Sequence, residues 1–88
     1  MISENIINMN CKQFINYLKE QPACVVEDLL NKVRLPKQMD TIIRLRCIEY
    51  NSFIEVCDKM NMTREQQILR IKKAKNKINI YLLQQQVV

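Results

Sequence analysis

The chain has 88 residues, a length that suits one small domain with a modest hydrophobic core. It contains no glycine and only two prolines, so it lacks the residues that tight hairpins and phosphate-cradling loops require. Its abundant Leu, Ile, Lys, Glu, Gln and Met instead predict an all-α fold, a small helical domain of four or five helices. No apolar run approaches the roughly 18 residues that span a bilayer, and no basic leader opens the sequence, so we expect a cytoplasmic protein without membrane contact.

Two short helices are predicted between residues 10 and 34, separated near Gln21 and Pro22 because proline interrupts a helix. Apolar residues recur in each at spacings of three and four, which predicts one buried face per helix. These residues are Phe14, Ile15 and Leu18 in the first helix and Val26, Leu29, Leu30 and Val33 in the second. We interpret residues 1–34 as N-terminal packing helices.

A third helix is predicted to begin at Leu35-Pro36, because proline fits the first turn of a helix. Helical spacing then gives it a buried stripe formed by Met39, Ile42, Ile43 and Cys47. We expect this helix to end near Glu49, before the break at Tyr50-Asn51.

The fourth and fifth helices are predicted from two capping boxes, in which a Ser or Thr hydroxyl and a Glu or Gln side chain three residues later satisfy each other's backbone amides. Ser52 and Glu55 form the first box, and Thr63 and Gln66 form the second. Between them, Asn61 is the residue expected to adopt the left-handed conformation that closes a helix. The final helix should run long, as far as the polar QQQ near the C-terminus, leaving residues 85–88 as a tail.

Two helices joined by such a short turn predict a helix-turn-helix, in which the first helix braces the second across the major groove of DNA. Cys57 is the small residue at the expected crossing of the two helices. The core is expected to form where three helices meet, through Ile43, Val56, Cys57, Met60, Ile71 and Ile78.

The cysteines do not predict a metal site. Cys11, Cys24, Cys47 and Cys57 form no CxxC pair, and the chain has no histidine to complete a mixed zinc site. We expect reduced thiols, with Cys47 and Cys57 acting as small buried hydrophobes. No nucleophile with a neighbouring base is evident, so we predict neither an enzyme nor a cofactor.

The stretch LPKQMDTIIRLRCIEYNSFIEVCDKMNMTREQQILRIKKAKNKI resembles region four of bacterial sigma factors, the domain that reads the −35 promoter element, and related phage transcription regulators. IIRLRCIE is similar to the family's VLRLRYLE, SFIEVCDKMNMT to SYEEIAEKLGIS, and RIKKAKNKI to RLHRARKKL. The similarity runs without a gap over residues 35–82, roughly half the chain. It implies a sigma-region-four-like helix-turn-helix over residues 35–84.

The sequence departs from the family pattern at two places. Tyr50 and Asn51 stand where the family has Gly and Leu. Gln67 stands at the family's apolar position in the middle of the recognition helix, so that either the helix is rotated and Ile68 packs inward, or its outer surface carries apolar side chains. Leu69 lies about 200° around the helix from Ile71, on the face that should meet DNA.

Positive charge is concentrated in the fifth helix. Residues 59–79 carry seven basic side chains against one acidic side chain, a net charge of +6 compared with +5 for the whole chain. A solvated helix face is the simpler interpretation, but this placement within a helix-turn-helix favours neutralisation of DNA phosphates. The predicted contacts are Arg64, Gln66, Arg70, Lys72 and Lys73, and the capping box is an alternative role for Gln66.

These observations predict a small DNA-binding transcription regulator of phage or mobile-element origin, acting on double-stranded DNA. Homodimerisation is left open. The alternative is a protein-interaction module that imitates sigma region four and binds RNA polymerase or a regulator through Ile68 and Leu69. A third hypothesis is a structural packaging component, because small phage terminase subunits also use helix-turn-helix domains.

Overall fold

The computed structural model describes residues 6–86, and within this range the chain forms five α-helices after one 3-10 turn, with no strand. The elements are the 3-10 turn Ile6–Asn8 and the helices α1 (Cys11–Lys19), α2 (Ala23–Val33), α3 (Lys37–Cys47), α4 (Phe53–Met60) and α5 (Arg64–Gln86). The predicted all-α fold of four or five helices is confirmed. No helix in the described part of the chain is long and apolar enough to cross a membrane.

Local signals set the ends of the N-terminal helices. Asn10 caps α1 by accepting a hydrogen bond from the amide of Gln13 at 2.8 Å, while the Gln13 side chain accepts one from the amide of Asn10 at 3.0 Å. Pro22 and Pro36 immediately precede α2 and α3. The predicted break near Gln21-Pro22 is therefore confirmed, because each proline stands where a missing amide hydrogen costs nothing.

α3 ends at Cys47, two residues earlier than the predicted end near Glu49. The chain turns sharply after the helix, and Tyr50 adopts the left-handed conformation with φ 59°. This turn brings the amide of Asn51 back to the carbonyl oxygen of Leu45, to which it donates a hydrogen bond at 2.8 Å. A continued helix could not form this contact, so the corner fixes the early end.

α5 also differs from prediction, because it extends into the segment that was assigned to a tail. Residues 84–86 are helical, whereas residues 87–88 of the predicted tail lie outside the described range. Glutamine is a good helix former and interrupts nothing when it stands on a solvated helix face. The polar run therefore marks no boundary of its own.

α5 is the element against which the other elements pack, since the 3-10 turn and α1 to α4 all contact it. Its buried face includes Gln67, Ile71, Ala74 and Ile78, at the spacing of three and four that places side chains on one side of a helix. The molecule measures 42 × 23 × 22 Å. Its long dimension follows from α5, which spans about 35 Å at 1.5 Å per residue.

The predicted core is confirmed at four positions and wrong at two. Ile43, Val56, Ile71 and Ile78 are buried, but Cys57 and Met60 are only half-buried. α4 has only eight residues and packs against α3 and α5, and Val56 is its buried residue, whereas Met60 is partly buried against the core.

One hydrophobic core includes both segments that the sequence suggested. Residues before position 35 and residues after it belong to the same cluster, so the N-terminal helices complete the core of the later helices. The buried members are Ile6, Phe14, Ile15, Leu18, Val26, Leu29, Leu30, Leu35, Ile42, Ile43, Cys47, Val56, Ile71, Ala74 and Ile78.

Candidate nucleic-acid interface

The turn between α4 and α5 has the conformation that the sequence predicts. Asn61 closes α4 in the left-handed region with φ 51° and ψ 56°. Thr63 caps α5, accepting a hydrogen bond from the amide of Gln66 at 3.1 Å. Both local predictions are confirmed, and three residues join the two helices. The identification of this unit as a helix-turn-helix stays a prediction.

Both predicted capping boxes are formed, so side-chain oxygens near the turn accept hydrogen bonds from backbone amides. Glu55 accepts a hydrogen bond from the amide of Ser52 at 2.7 Å, and this backbone hydrogen bond lowers the pKa of its carboxyl group. Gln66 accepts one from the amide of Thr63 at 2.9 Å through Oε1. The side-chain oxygen of Gln66, one of the predicted DNA contacts, is thus used to hold the start of α5.

Gln67 occupies the crossing between α4 and α5 and is fully buried. Its side-chain amide donates hydrogen bonds to the carbonyl oxygen of Phe53 and to Sγ of Cys57, both at 3.1 Å. Its Oε1 accepts one from Nη1 of Arg46 at 3.2 Å. Cys57, the small residue at the predicted crossing, therefore contacts Gln67, and the contact between the two helices is polar at this point.

The buried position of Gln67 also decides the rotation of α5. Ile68 does not pack inward: it remains 38% exposed, and Leu69 is 53% exposed. Of the two alternatives that the sequence left open, the structure has the second, in which apolar side chains stand on the outer surface of α5.

The predicted DNA-binding residues do not form one cluster. Arg64, Gln66, Lys72 and Lys73 are exposed, whereas Arg70 is half-buried. At about 100° per residue, Gln66, Arg70 and Lys73 lie within a sector of about 60° on one side of α5. Arg64 and Lys72 lie on the other side of the helix.

Leu69 lies between these two basic sides. The side that includes Arg70 is braced by the turn, because Nη1 of Arg70 lies 3.8 Å from Sδ of Met62, to which it donates a weak hydrogen bond. A partner that binds the outer side of α5 therefore contacts an apolar side chain flanked by cations.

The basic side chains of α5 have no acidic partners within residues 6–86. The ion pairs in this range involve α2 and α3 only: Lys32 with Asp28, and Arg44 with Glu27 and Asp40. The positive charge of α5 is therefore not neutralised by the fold.

One member of the lysine run faces the interior. Lys75 is 9% exposed, and its Nζ donates a hydrogen bond of 2.6 Å to the carbonyl oxygen of Met9. It joins α5 to the segment before α1, so it belongs to the fold and is not available to a partner. Its position was readable in the sequence, because it follows Ile71 by four residues and precedes Ile78 by three.

Two further cations, which the sequence did not indicate as site residues, lie beside the first turns of α5. Lys12 on α1 and Arg46 on α3 line the same open cavity as Arg64. The guanidinium carbon atoms of Arg46 and Arg64 each lie 5.6 Å from the centre of the Phe53 ring. No local pattern could have indicated this grouping, since these residues are brought together from four different helices.

The cysteines are free thiols in different environments. Cys47 is buried, Cys24 is exposed, and Cys11 and Cys57 are intermediate. Burial raises the pKa of the Cys47 thiol to about 12. Across the described residues, no three Cys, Asp or Glu side chains are grouped so that they could hold a metal ion.

Comparison of the chain with protein-family models, with curated proteins and with solved structures found no match. The resemblance to sigma region four therefore depends on the residues quoted above and stays a prediction.

Proposed function

We propose that the protein is a small transcription regulator that binds double-stranded DNA through the basic residues of α5. The observation that carries this proposal is the unpaired positive charge of that helix. Arg64, Lys72 and Lys73 are exposed, and no acidic side chain among residues 6–86 pairs with them. Unpaired cations on one long helix attract a phosphate backbone and release its counterions.

The position of the charge supports the same function. α5 begins directly after the tight turn at Asn61, in the place of a recognition helix, and the resemblance to sigma region four implies a promoter-like target. A phage or mobile-element origin and a cytoplasmic location belong to this proposal. DNA contact would be made mainly through phosphates, because Gln66 is engaged as a cap and Leu69 offers no hydrogen bond to a base edge.

The experiment compares two double variants that remove the same amount of charge. Lys72→Ala/Lys73→Ala removes two lysines from α5, and Lys32→Ala/Lys37→Ala removes two exposed lysines from α2 and α3. Affinity for random duplex DNA is measured by fluorescence anisotropy over a range of salt concentrations.

We expect the α5 variant to bind every duplex more weakly, with the fold unchanged. Its affinity should also fall less steeply with salt, because binding releases up to about two fewer counterions. The α2 and α3 variant should keep the parent slope. Absence of duplex binding by the parent at low salt, or equal affinity of the parent and the α5 variant, would contradict DNA as the partner.

A second candidate function is favoured by the apolar residues on the outer side of α5. Leu69, Ile80 and Leu83 are 53%, 55% and 52% exposed, and at about 100° per residue they lie within a sector of about 60°. An apolar stripe flanked by cations suits a partner protein. In this case the protein would imitate sigma region four, and its partner would be RNA polymerase or a regulator.

The two candidates predict opposite effects of two substitutions. If a protein is the partner, Leu69→Asp should abolish its binding while Lys72→Ala/Lys73→Ala retains most of it. If DNA is the partner, the double-lysine variant should show the larger loss. Pull-down with purified RNA polymerase and the duplex titration, performed on the same variants, separate these outcomes, and sedimentation of the free protein tests for a homodimer.

A further inference from the structure

An open cavity of about 360 Å³ lies between α1, α3, α4 and the first two turns of α5. Such a volume is within the range of small-molecule sites in proteins, about 300 to 1,000 Å³. Much of its wall is apolar, because Ile15, Phe53, Ile68 and Ile71 line it. A ligand that fills it must therefore present an apolar body.

The same cavity is lined by three cations and by no acidic side chain: Lys12, Arg46 and Arg64. None of the three forms an ion pair within the described residues. A ligand with a negative charge would meet three positive groups and no competing carboxylate.

Arg46 has one buried donor atom without a partner. Its Nη1 donates to Oε1 of Gln67 at 3.2 Å, but its Nε is buried without a hydrogen bond. Removal from water lowers the pKa of its guanidinium group. Arg46 and Arg64 also share one aromatic ring, that of Phe53, at 5.6 Å each. The Phe53 ring is thus a shared apolar surface beside two cations, which suits a ligand that has an apolar body and a negative charge.

We propose that this cavity binds a small organic anion, an aromatic or aliphatic body that carries a carboxylate. The isoleucines and Phe53 would surround the body, and the cations would hold the carboxylate near the opening. Arginine is suited to this role because its planar guanidinium matches the geometry of a carboxylate. Binding of such an anion does not require DNA, and no nucleic acid is used in the experiments below.

The first experiment uses three probes that separate charge from ring. 2-Naphthoate carries both, 2-naphthamide has the ring without the charge, and inorganic phosphate has the charge without the ring. Each is titrated into the full-length protein and followed by backbone amide NMR. We expect saturable shifts with naphthoate around Ile15, Phe53 and Ile68, and binding at least about tenfold weaker for the other two. Equal binding of naphthamide or of phosphate would overturn the proposal, and so would the absence of saturation by naphthoate at millimolar concentration.

The second experiment places the same new carboxylate at two positions. Ile68→Asp puts it at the wall of the cavity, whereas Ile54→Asp puts it on α4 at a side chain that is 65% exposed and does not line the cavity. Both positions are exposed, so both variants should fold, which circular dichroism checks. We expect Ile68→Asp to weaken naphthoate binding by about tenfold or more, with Ile54→Asp unchanged.

Arg64→Gln provides a third variant, which removes one cation from the opening without adding a charge. It should weaken naphthoate binding and leave naphthamide binding unchanged. Equal naphthoate affinities for the parent, Ile68→Asp and Arg64→Gln would show that the ligand binds elsewhere and would overturn the assignment of this cavity.

Discussion

Gln67 is a buried polar residue whose side-chain donors and acceptor all form hydrogen bonds. The side chain is buried, but both of its amide hydrogens and its oxygen have partners. Buried polar groups are tolerated when they are satisfied in this way, and they become costly when one partner is removed. The stability of the α4 and α5 crossing therefore depends on Arg46 as well as on Gln67.

We predict that Gln67→Leu destabilises the protein by roughly 1–3 kcal/mol, although it makes the site more apolar, because Arg46 loses its acceptor. Urea unfolding measures the change, and Gln85→Leu on the exposed side of α5 is the control, expected to change stability by less than about 0.5 kcal/mol. Combining Gln67→Leu with Arg46→Met should cost less than the sum of the single changes. A stabilised Gln67→Leu variant would contradict this account.

Tyr50 is a residue in a conformation that suits glycine. Its φ of 59° is left-handed, its side chain is 57% exposed, and the sigma-factor pattern has glycine at this position. A residue with a Cβ in this conformation costs about 1–2 kcal/mol, which glycine avoids. Tyr50 therefore carries a local conformational cost that little side-chain burial offsets.

Tyr50→Gly should raise the free energy of unfolding relative to Tyr50→Ala by about 1 kcal/mol, because alanine keeps the Cβ and glycine does not. Comparing these two variants removes the effect of losing the tyrosine ring from both. Thermal or urea unfolding is the measurement. If the alanine variant is as stable as the glycine variant, the corner is not strained at this residue.

Among the elements, α5 performs two tasks on opposite sides. Its inner side supports the core through Ile71, Ala74 and Ile78, and its outer side carries the cations and the exposed Leu69 and Ile80. Apolar residues thus stand on both sides, which explains why the sequence could place Ile71 and Ile78 in the core but left the position of Ile68 open.

Two isoleucines of α5 test this division. Ile71 is 2% exposed and Ile80 is 55% exposed. Ile71→Ala should reduce the free energy of unfolding by about 2–5 kcal/mol, because it leaves a cavity in the core. Ile80→Ala should reduce it by less than about 0.5 kcal/mol, since its side chain faces solvent. Equal losses in denaturant unfolding would show that the inner side of α5 is assigned wrongly.

The helices were predictable from the sequence because their ends depend on neighbours within about four residues. The box at Ser52, the turn at Asn61 and the break at Pro22 are signals of this kind, and each is confirmed. The early end of α3 was missed because Tyr50 has no intrinsic preference for the left-handed region. The left-handed conformation of Arg34, with φ 56° at the end of α2, was not predicted for the same reason.

The arrangement of the candidate site could be predicted only in part. The exposed cations of α5 follow from helical spacing, but the hydrogen bond between Arg46 and Gln67 joins residues 21 positions apart. Lys12 reaches the same cavity from α1. Such contacts depend on how the helices pack against one another. No pattern in a single sequence predicts which side chains a buried glutamine will contact.

For the whole molecule, the packing of the N-terminal helices against α3 and α5 removes Cys47 from solvent. The pKa of its thiol is about 12 when folded, compared with an ordinary value of 9.0, so the folded state keeps the proton over a pH range in which the unfolded state loses it. Below pH 9 both states are protonated and the thiol adds no pH dependence. Above pH 9 ionisation favours unfolding.

The free energy of unfolding should therefore fall as pH rises above 9, with this thiol contributing up to about 1.4 kcal/mol per pH unit. Cys47→Val removes the contribution while keeping a similar volume. Denaturant unfolding of parent and variant between pH 8 and pH 10.5 measures the difference in slope, and the titration of lysines and tyrosines, common to both, cancels. Identical slopes would mean that Cys47 is accessible to water in the folded protein.

The unpaired cations of α5 also oppose the helix that carries them. Lys73 and Lys77 stand four residues apart on exposed turns, a spacing at which like charges destabilise a helix by about 0.2–0.5 kcal/mol. Added salt screens this repulsion and so favours the folded chain, whereas the same salt competes for any polyanion that the helix attracts. Ionic strength should thus act in opposite directions on the two properties, making the free protein more heat-resistant under the conditions in which its complex with a polyanion is weakest.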